Sequence, residues 1–393
     1  MTPQRIPKLL AAGAIVLGAG SMGAAPLQLT PRAIGDASAR ALPAPPADGV
    51  LGFVVSDFVQ PIVEGKDACP EGPVLKLREA YIAGLPVAER ERLTRKENEP
   101  ELLRAWQMTA FGKEGTNICS QPEMFNRPTF RTVQSKVAWG LDLDEGNTAD
   151  TCAHETFTTP NGQTGIDNQE YRALGCKLEW RTKDGVGGDN QIGMKQFHNS
   201  GEWTQVILLR GVDSLESDPS VEVLYANTPD RPMIDSKGGY LPGITYSIST
   251  KPPRERNVLK GRIVNGVLTT EPADIKLTQT WGQGGSRDIR GNRSRWDYRK
   301  ARLRLEFQPD GSLKGVMAGY RPVADPIISP ALGGAGSAIV AGIDCAGELA
   351  TLRKYADGLK DPKTGKCNGI SATQRISAVP AYINDINPRT ASR

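Results

Sequence analysis

The stretch between Cys152 and Cys176 holds side chains that general acid–base catalysis and metal binding use. One of the chain's two histidines lies there with carboxylates and an amide: His154, Glu155, Asp167, Asn168 and Glu170. The same stretch is dense in residues that form turns for backbone reasons. We therefore expect a loop closed at its neck by a Cys152–Cys176 disulfide, which would stabilise the fold by about 3 kcal/mol. A functional loop on rigid anchors is the alternative.

A short acidic segment just upstream, LDLDEGNTAD, offers the oxygen ligands that calcium prefers. The candidate ligands are Asp142, Asp144, Asn147 and Asp150. The segment lacks the sixth-position glycine and the final glutamate of an EF-hand loop. An acidic, solvated loop is therefore the simpler interpretation. We expect no cofactor, with calcium as the one alternative.

The strongest binding candidate is the basic stretch SRDIRGNRSRWDYRKARLR. Side chains of a strand alternate between two faces. Counting every second residue places five candidates on one polar face: Trp296, Tyr298, Lys300, Arg302 and Arg304. Aromatic rings beside guanidinium groups suit acidic sugars, phosphates or a lipid head group. The alternative is a solvated sheet face whose long side chains cover neighbouring strands.

Signatures of several common enzyme classes are absent. The sequence has no GxSxG nucleophile elbow, no HExxH pair and no P-loop. The second histidine, His198, reads as an ordinary loop or strand-edge residue. A glycosidase-like hydrolase stays open because its two carboxylates need only meet in space. Its candidates are Glu155, Asp167, Glu170 and Asp297.

The N-terminal residues predict export. Arg5 and Lys8 precede an uncharged, Ala/Gly-rich stretch that ends in small residues, the layout of a signal peptide over residues 1–25. That stretch is shorter than the roughly 20 residues of a membrane-spanning helix, so we expect no stable span after processing. A Pro/Ala-rich linker, residues 26–49, then leads to the folded body. We expect a periplasmic or extracellular protein.

Six cysteines follow the export segment, an even number that fits disulfide formation outside the cytoplasm. They are Cys69, Cys119, Cys152, Cys176, Cys345 and Cys367. Six cysteines allow 15 pairings. Joining nearest neighbours gives Cys69–Cys119, Cys152–Cys176 and Cys345–Cys367. No CxxC pair is present, so neither a thioredoxin-like redox site nor a zinc knuckle is predicted.

The charge balance gives no general attraction to nucleic acid. The whole chain has a formal net charge of +4 from 48 basic and 44 acidic residues. Removing residues 1–25 takes away two of those 48 basic residues and none of the 44 acidic ones. We expect no nucleic-acid partner.

The fold class predicted is mainly β, a sandwich or jelly roll of antiparallel sheets with peripheral helices and stabilising disulfides. Short apolar or alternating runs divided by Gly, Pro, Asn and Asp indicate strands. The clearest is a hairpin, WDYRKARLRLEF and SLKGVMAGY joined by QPDG. We expect a mixed helical and strand subdomain over residues 50–125, a β-rich domain over 126–330, and a helical segment clamped by a disulfide over 331–393.

The functional expectation is an exported binding or surface-associated protein. An anionic glycan or another anionic cell-envelope component is the expected partner, because the basic strand offers forked cations. A secreted hydrolase that uses carboxylates and a purely structural envelope protein are the alternatives.

Overall fold

Most regular structure in the protein is β-strand, as the short apolar runs predict. The computed structural model describes residues 42–146, 149–201, 203–249, 255–279, 294–325 and 339–385. The proposed export segment, residues 1–25, falls outside these ranges. The strands are β1 (Leu51–Val59), β2 (Gln205–Arg210), β3 (Ser217–Asn227), β4 (Thr245–Ser247), β5 (Arg256–Val264), β6 (Val267–Thr270), β7 (Ala273–Gln279), β8 (Ser294–Phe307), β9 (Leu313–Pro322), β10 (Gly358–Lys360) and β11 (Cys367–Asn384).

Eight of these strands close into an antiparallel barrel. Their order is β1-β2-β3-β5-β6-β8-β9-β11, and β11 pairs back onto β1. Because β11 is 18 residues long, it pairs with β9 along its first part and with β1 along its second. Closure leaves no two separate facing sheets, so the sandwich or jelly-roll expectation is wrong, while the mainly β class is confirmed. The other strands extend the sheet, β4 and β10 on β11 and β7 on β8.

The barrel interior is the main hydrophobic core, and β8 shows how the sequence fills it. The second half of β8 alternates as predicted, with Leu303, Leu305 and Phe307 buried. The predicted hairpin with β9 is confirmed, since Phe307 lies opposite Leu313. Arg304, of the opposite parity, is exposed on the outer face.

A β-bulge in the middle of β8 reverses this alternation. The pairing register with β9 shifts between Arg299 and Arg302, and Lys300 has a φ of 50°. A bulge adds one unpaired residue, so side chains before it change face relative to those after it. Trp296 and Tyr298 therefore point into the barrel core, where they are 5% and 0% exposed. The expectation that they share the outer face with the arginines is wrong.

The helices and loops form a second core beside the barrel. The helices of the described residues are α1 (Leu77–Gly84), α2 (Val87–Leu93), α3 (Glu99–Met108), α4 (Gln169–Leu174), α5 (Asp189–Ser200) and α6 (Cys345–Lys354). Apolar residues of α3 and α6, among them Trp106 and Leu352, pack in one buried cluster. Asp344 caps the N-terminus of α6, because its Oδ1 accepts from the Gly347 N–H at 2.9 Å. His198 lies inside α5 and not in a loop or at a strand edge.

The disulfides join segments far apart in sequence. The pairs are Cys69–Cys176, Cys119–Cys345 and Cys152–Cys367. All six cysteines are bonded, as expected, but nearest-neighbour pairing is wrong at every position. The loop after Cys152 is closed by its backbone and not by a disulfide, since Phe157 and Ile166 exchange two hydrogen bonds. Cys345, in α6, bonds Cys119, and Cys367 bonds Cys152.

Three disulfides indicate an oxidising environment, which supports a place outside the cytoplasm. Among the residues that the structure describes, no helix has the length and apolar character needed to cross a membrane.

Candidate functional site

The outer face of β5, β6 and β8 carries the best candidate for a binding site. Arg262 of β5 lies opposite Thr269 of β6, and Thr269 lies opposite Arg304 of β8. The adjacent residues Ile263 and Leu268 are buried in the barrel core, so these three side chains point outward. Neighbouring strands lie about 4.8 Å apart, which separates the two arginine α-carbons by roughly 10 Å. We call Arg262, Thr269 and Arg304 the arginine row.

The arginine row lines a surface pocket of about 660 Å³. Arg262 and Arg304 are both exposed. Neither guanidinium takes part in an ion pair with any residue that the structure describes, whereas the neighbouring Arg302 does. Glu145 and Glu271 also line the pocket. The arginine row therefore presents two guanidinium groups that form no ion pair with the described residues, in a pocket that also contains carboxylates.

The other members of the predicted basic face are engaged in the fold. Lys300 Nζ pairs with Asp150 Oδ2 at 2.7 Å. Arg302 Nη1 donates to the Asp142 carbonyl at 3.0 Å and pairs with Glu145 Oε1 at 2.7 Å. Arg302 thus ties the acidic loop to the barrel and is not available to a ligand. Arg304 is the member of the predicted face that joins the arginine row.

The structure rearranges the predicted calcium ligands. Carboxylate oxygens of Asp142 and Asp144 come within 4.8 Å of Asp167. Asp150 pairs with Lys300 instead, and Asn147 lies outside the described residues. Burial raises the pKa of Asp142. A hydrogen bond from the Glu145 N–H lowers it by less, and the negative charge of nearby Asp167 raises it further.

Asp167 also belongs to a buried cluster with His154 and Asp357, the His154 cluster. His154 Nε2 lies 2.7 Å from Asp167 Oδ1 and 3.9 Å from Asp357 Oδ2. His154 Nδ1 lies 2.9 Å from the Cys152 carbonyl oxygen. Both carboxylates are fully buried, and the His154 side chain is 9% exposed. These three side chains could hold a metal ion, since one ligand atom from each lies within 4.8 Å of the others.

Hydrogen bonding and burial set the charges of the His154 cluster. The hydrogen bond with Asp167 raises the pKa of His154 to about 9, against the opposing effect of burial. Burial raises the pKa of Asp357 to about 6. An imidazole with acceptors at both nitrogens is held as the cation near neutral pH. In this state the ring donates twice and has no lone pair for a general base.

The predicted catalytic carboxylates lie in different surroundings. Glu155 is 74% exposed at its side chain and lies 3.8 Å from Arg172. Asp167 belongs to the His154 cluster. Glu170, on the buried helix α4, accepts a hydrogen bond from Arg321 Nη1 at 2.6 Å. The Arg321 guanidinium lies 4.5 Å from the Trp296 ring centre, so Glu170 forms part of a polar group inside the barrel. These three carboxylates do not share one cleft, and the fourth candidate, Asp297, lies in β8 opposite Lys276.

Three residues of these sites, Arg262, Thr269 and Asp357, are not among those singled out from the sequence. Arg262 could have been found, because Asn265 and Gly266 form the Asn-Gly turn that predicts a hairpin, and counting back from it pairs Arg262 with Thr269. Asp357 has no local signal. It reaches His154 through contacts between segments about 200 residues apart.

No protein-family model, curated protein or solved structure matches this chain.

Proposed function

We propose that the protein is an exported binding protein that holds an anionic glycan, or another anionic component of the cell envelope, on the outer face of its barrel. The observation that carries this proposal is the arginine row, in which Arg262 and Arg304 flank Thr269 within one pocket. The proposed export segment and the three disulfides support a periplasmic or extracellular compartment.

The chemistry of the arginine row favours anionic groups. A guanidinium presents two parallel N–H donors to a carboxylate, sulfate or phosphate. In a folded protein an arginine with no ion-pair partner is free to make such a contact without breaking another. The Thr269 hydroxyl lies between the two cations and can donate to or accept from a sugar hydroxyl.

Recognition here does not use aromatic stacking by Trp296 and Tyr298. Both rings lie inside the barrel, on the opposite side of the sheet from the arginine row. The site therefore selects its ligand by charge and hydrogen bonding. Binding of this kind weakens as salt rises, because salt screens exposed charges.

The test measures retention of the purified protein on immobilised heparin and polygalacturonate, with dextran as the neutral polymer. We expect retention on an acidic polymer that is lost with salt. The variant Arg262→Ala/Arg304→Ala should bind at least about tenfold more weakly, since each charged hydrogen bond contributes about 1.5–3 kcal/mol.

The matched control is Arg95→Ala/Arg353→Ala. It removes the same charge from two exposed arginines outside the pocket, and we expect retention close to that of the wild type. The proposal would be contradicted by an equal loss of retention in both double variants, or by unchanged retention of Arg262→Ala/Arg304→Ala. Release of reducing sugars during incubation would favour the hydrolase alternative.

A further inference from the structure

Each side chain of the His154 cluster has one polar atom held by the backbone. His154 Nδ1 faces the Cys152 carbonyl at 2.9 Å. Asp167 Oδ2 accepts from the Leu143 N–H at 2.7 Å, and Asp357 Oδ1 accepts from the Ser371 N–H at 2.7 Å. The remaining atoms, His154 Nε2, Asp167 Oδ1 and Asp357 Oδ2, face one another. Backbone groups that orient metal ligands in this way are characteristic of metal sites.

Asp357 Oδ2 is the second observation that points to a ligand. The Asp357 side chain is 1% exposed, and Oδ2 has no hydrogen-bond partner among the described residues. It lies 3.9 Å from His154 Nε2, too far for a hydrogen bond. A carboxylate oxygen without a hydrogen bond in a protein interior is costly, and a metal ion bound between His154 Nε2 and Asp357 Oδ2 would satisfy it more closely than the imidazole at 3.9 Å does.

The distances suit a small divalent ion. Metal–ligand bonds of about 2.1 Å in a tetrahedral site place the ligand atoms about 3.4 Å apart. The two distances from His154 Nε2, 2.7 Å to Asp167 Oδ1 and 3.9 Å to Asp357 Oδ2, lie on either side of that value. His154 is the member of the cluster that also lines a surface pocket, of about 360 Å³.

We propose that His154, Asp167 and Asp357 bind one divalent transition-metal ion, with zinc as the best fit. An imidazole nitrogen with two carboxylate oxygens is a zinc-type ligand set, whereas calcium takes oxygen ligands alone. Binding replaces the proton on His154 Nε2, which leaves to solvent as the ion takes its place. The disulfide Cys152–Cys367 holds the site together, since the Cys152 N–H also donates to the Asp357 carbonyl at 2.9 Å.

The test begins with the purified, disulfide-bonded protein, stripped of metal by dialysis against a chelator. Titration with Zn²⁺ by calorimetry should show about one ion per chain, and Co²⁺ should give a visible absorption band that Zn²⁺ removes. Asp357→Asn keeps the size and one polar contact of the side chain, and it should weaken Zn²⁺ binding at least tenfold. Asp144→Asn, in the neighbouring acidic group, should leave Zn²⁺ binding unchanged.

A second measurement keeps the test valid if Asp357→Asn fails to fold. The chain has two histidines, so a ¹⁵N-histidine spectrum of the wild type resolves both rings, and His198→Phe assigns them. Zn²⁺ should shift the Nε2 resonance of His154 and leave His198 in place. Absence of that shift, or Zn²⁺ binding that Asp144→Asn abolishes, would overturn the proposal.

Discussion

His198 lies in α5 with both ring nitrogens buried and without a hydrogen-bond partner among the described residues. Its ring packs against Trp203 and Phe58, with ring centres 5.4 and 6.2 Å away. Burial lowers its pKa to about 3, and the charge of Lys195 adds to the shift. The folded protein therefore holds this histidine neutral, while the unfolded chain protonates it near pH 6.5.

This difference predicts acid sensitivity from one residue. A histidine with a lowered folded pKa stabilises the fold above pH 6.5 relative to lower pH, and its contribution falls by about 1.4 kcal/mol per pH unit between pH 6.5 and 3. In His198→Phe that loss should disappear. Urea unfolding at pH 7 and pH 4.5 measures both proteins. Parallel losses in wild type and variant would show that other groups cause the acid sensitivity.

At the residue scale, the sequence could identify which side chains carry chemistry but not their partners. His154 and Asp167 both stood out in one loop, and the structure brings them within 2.7 Å. Asp357 did not stand out, because a carboxylate after a helix usually faces solvent. Here a buried β11 backbone N–H, that of Ser371, holds it.

At the scale of secondary-structure elements, strand β8 shows what the sequence could and could not predict. The alternation that predicted buried Leu303 and Leu305 was correct, and so was the hairpin turn. The bulge at Lys300 could not be read from the sequence, because a lysine gives no sign of a positive φ. Tertiary packing favours the bulge, because the bulge places Trp296 and Tyr298 in the core.

Deleting Lys300 should therefore destabilise the protein strongly. Without the extra residue, either Trp296 and Tyr298 would turn to the outer face or Arg304 would turn inward while Leu303 and Leu305 turn outward. We expect a loss of at least about 5 kcal/mol in unfolding free energy, since two large aromatic side chains leave the core. Lys300→Gly keeps the bulge and suits its φ of 50°, so it should change stability by no more than about 1 kcal/mol. Denaturant unfolding compares them, and an equally mild deletion would show that the bulge does not set the face.

At the scale of the whole molecule, the sequence predicted a β-rich, disulfide-bonded protein but not a closed barrel. Closure depends on β1 pairing with β11 across more than 300 residues, and local strand patterns carry no information on such partners. The predicted disulfide pairing is wrong for the same reason, because each disulfide joins segments at least 107 residues apart.

Removing one disulfide should loosen one part of the molecule. Cys119→Ser/Cys345→Ser frees α6 from the second core, and we expect a loss of about 2–5 kcal/mol. Hydrogen exchange should show reduced protection in α3 and α6. Cys152→Ser/Cys367→Ser is the matched control and should spare these helices while it disturbs the His154 cluster. Equal deprotection of α3 and α6 in both variants would contradict this division.

Disulfides between distant segments tie the second core together and join the loop at Cys152 to strand β11 of the barrel. Mass spectrometry of peptides from the unreduced, native protein tests this most directly. The result predicted is three linked pairs, Cys69–Cys176, Cys119–Cys345 and Cys152–Cys367. A Cys152–Cys176 linked peptide, or free thiols at these positions, would contradict it.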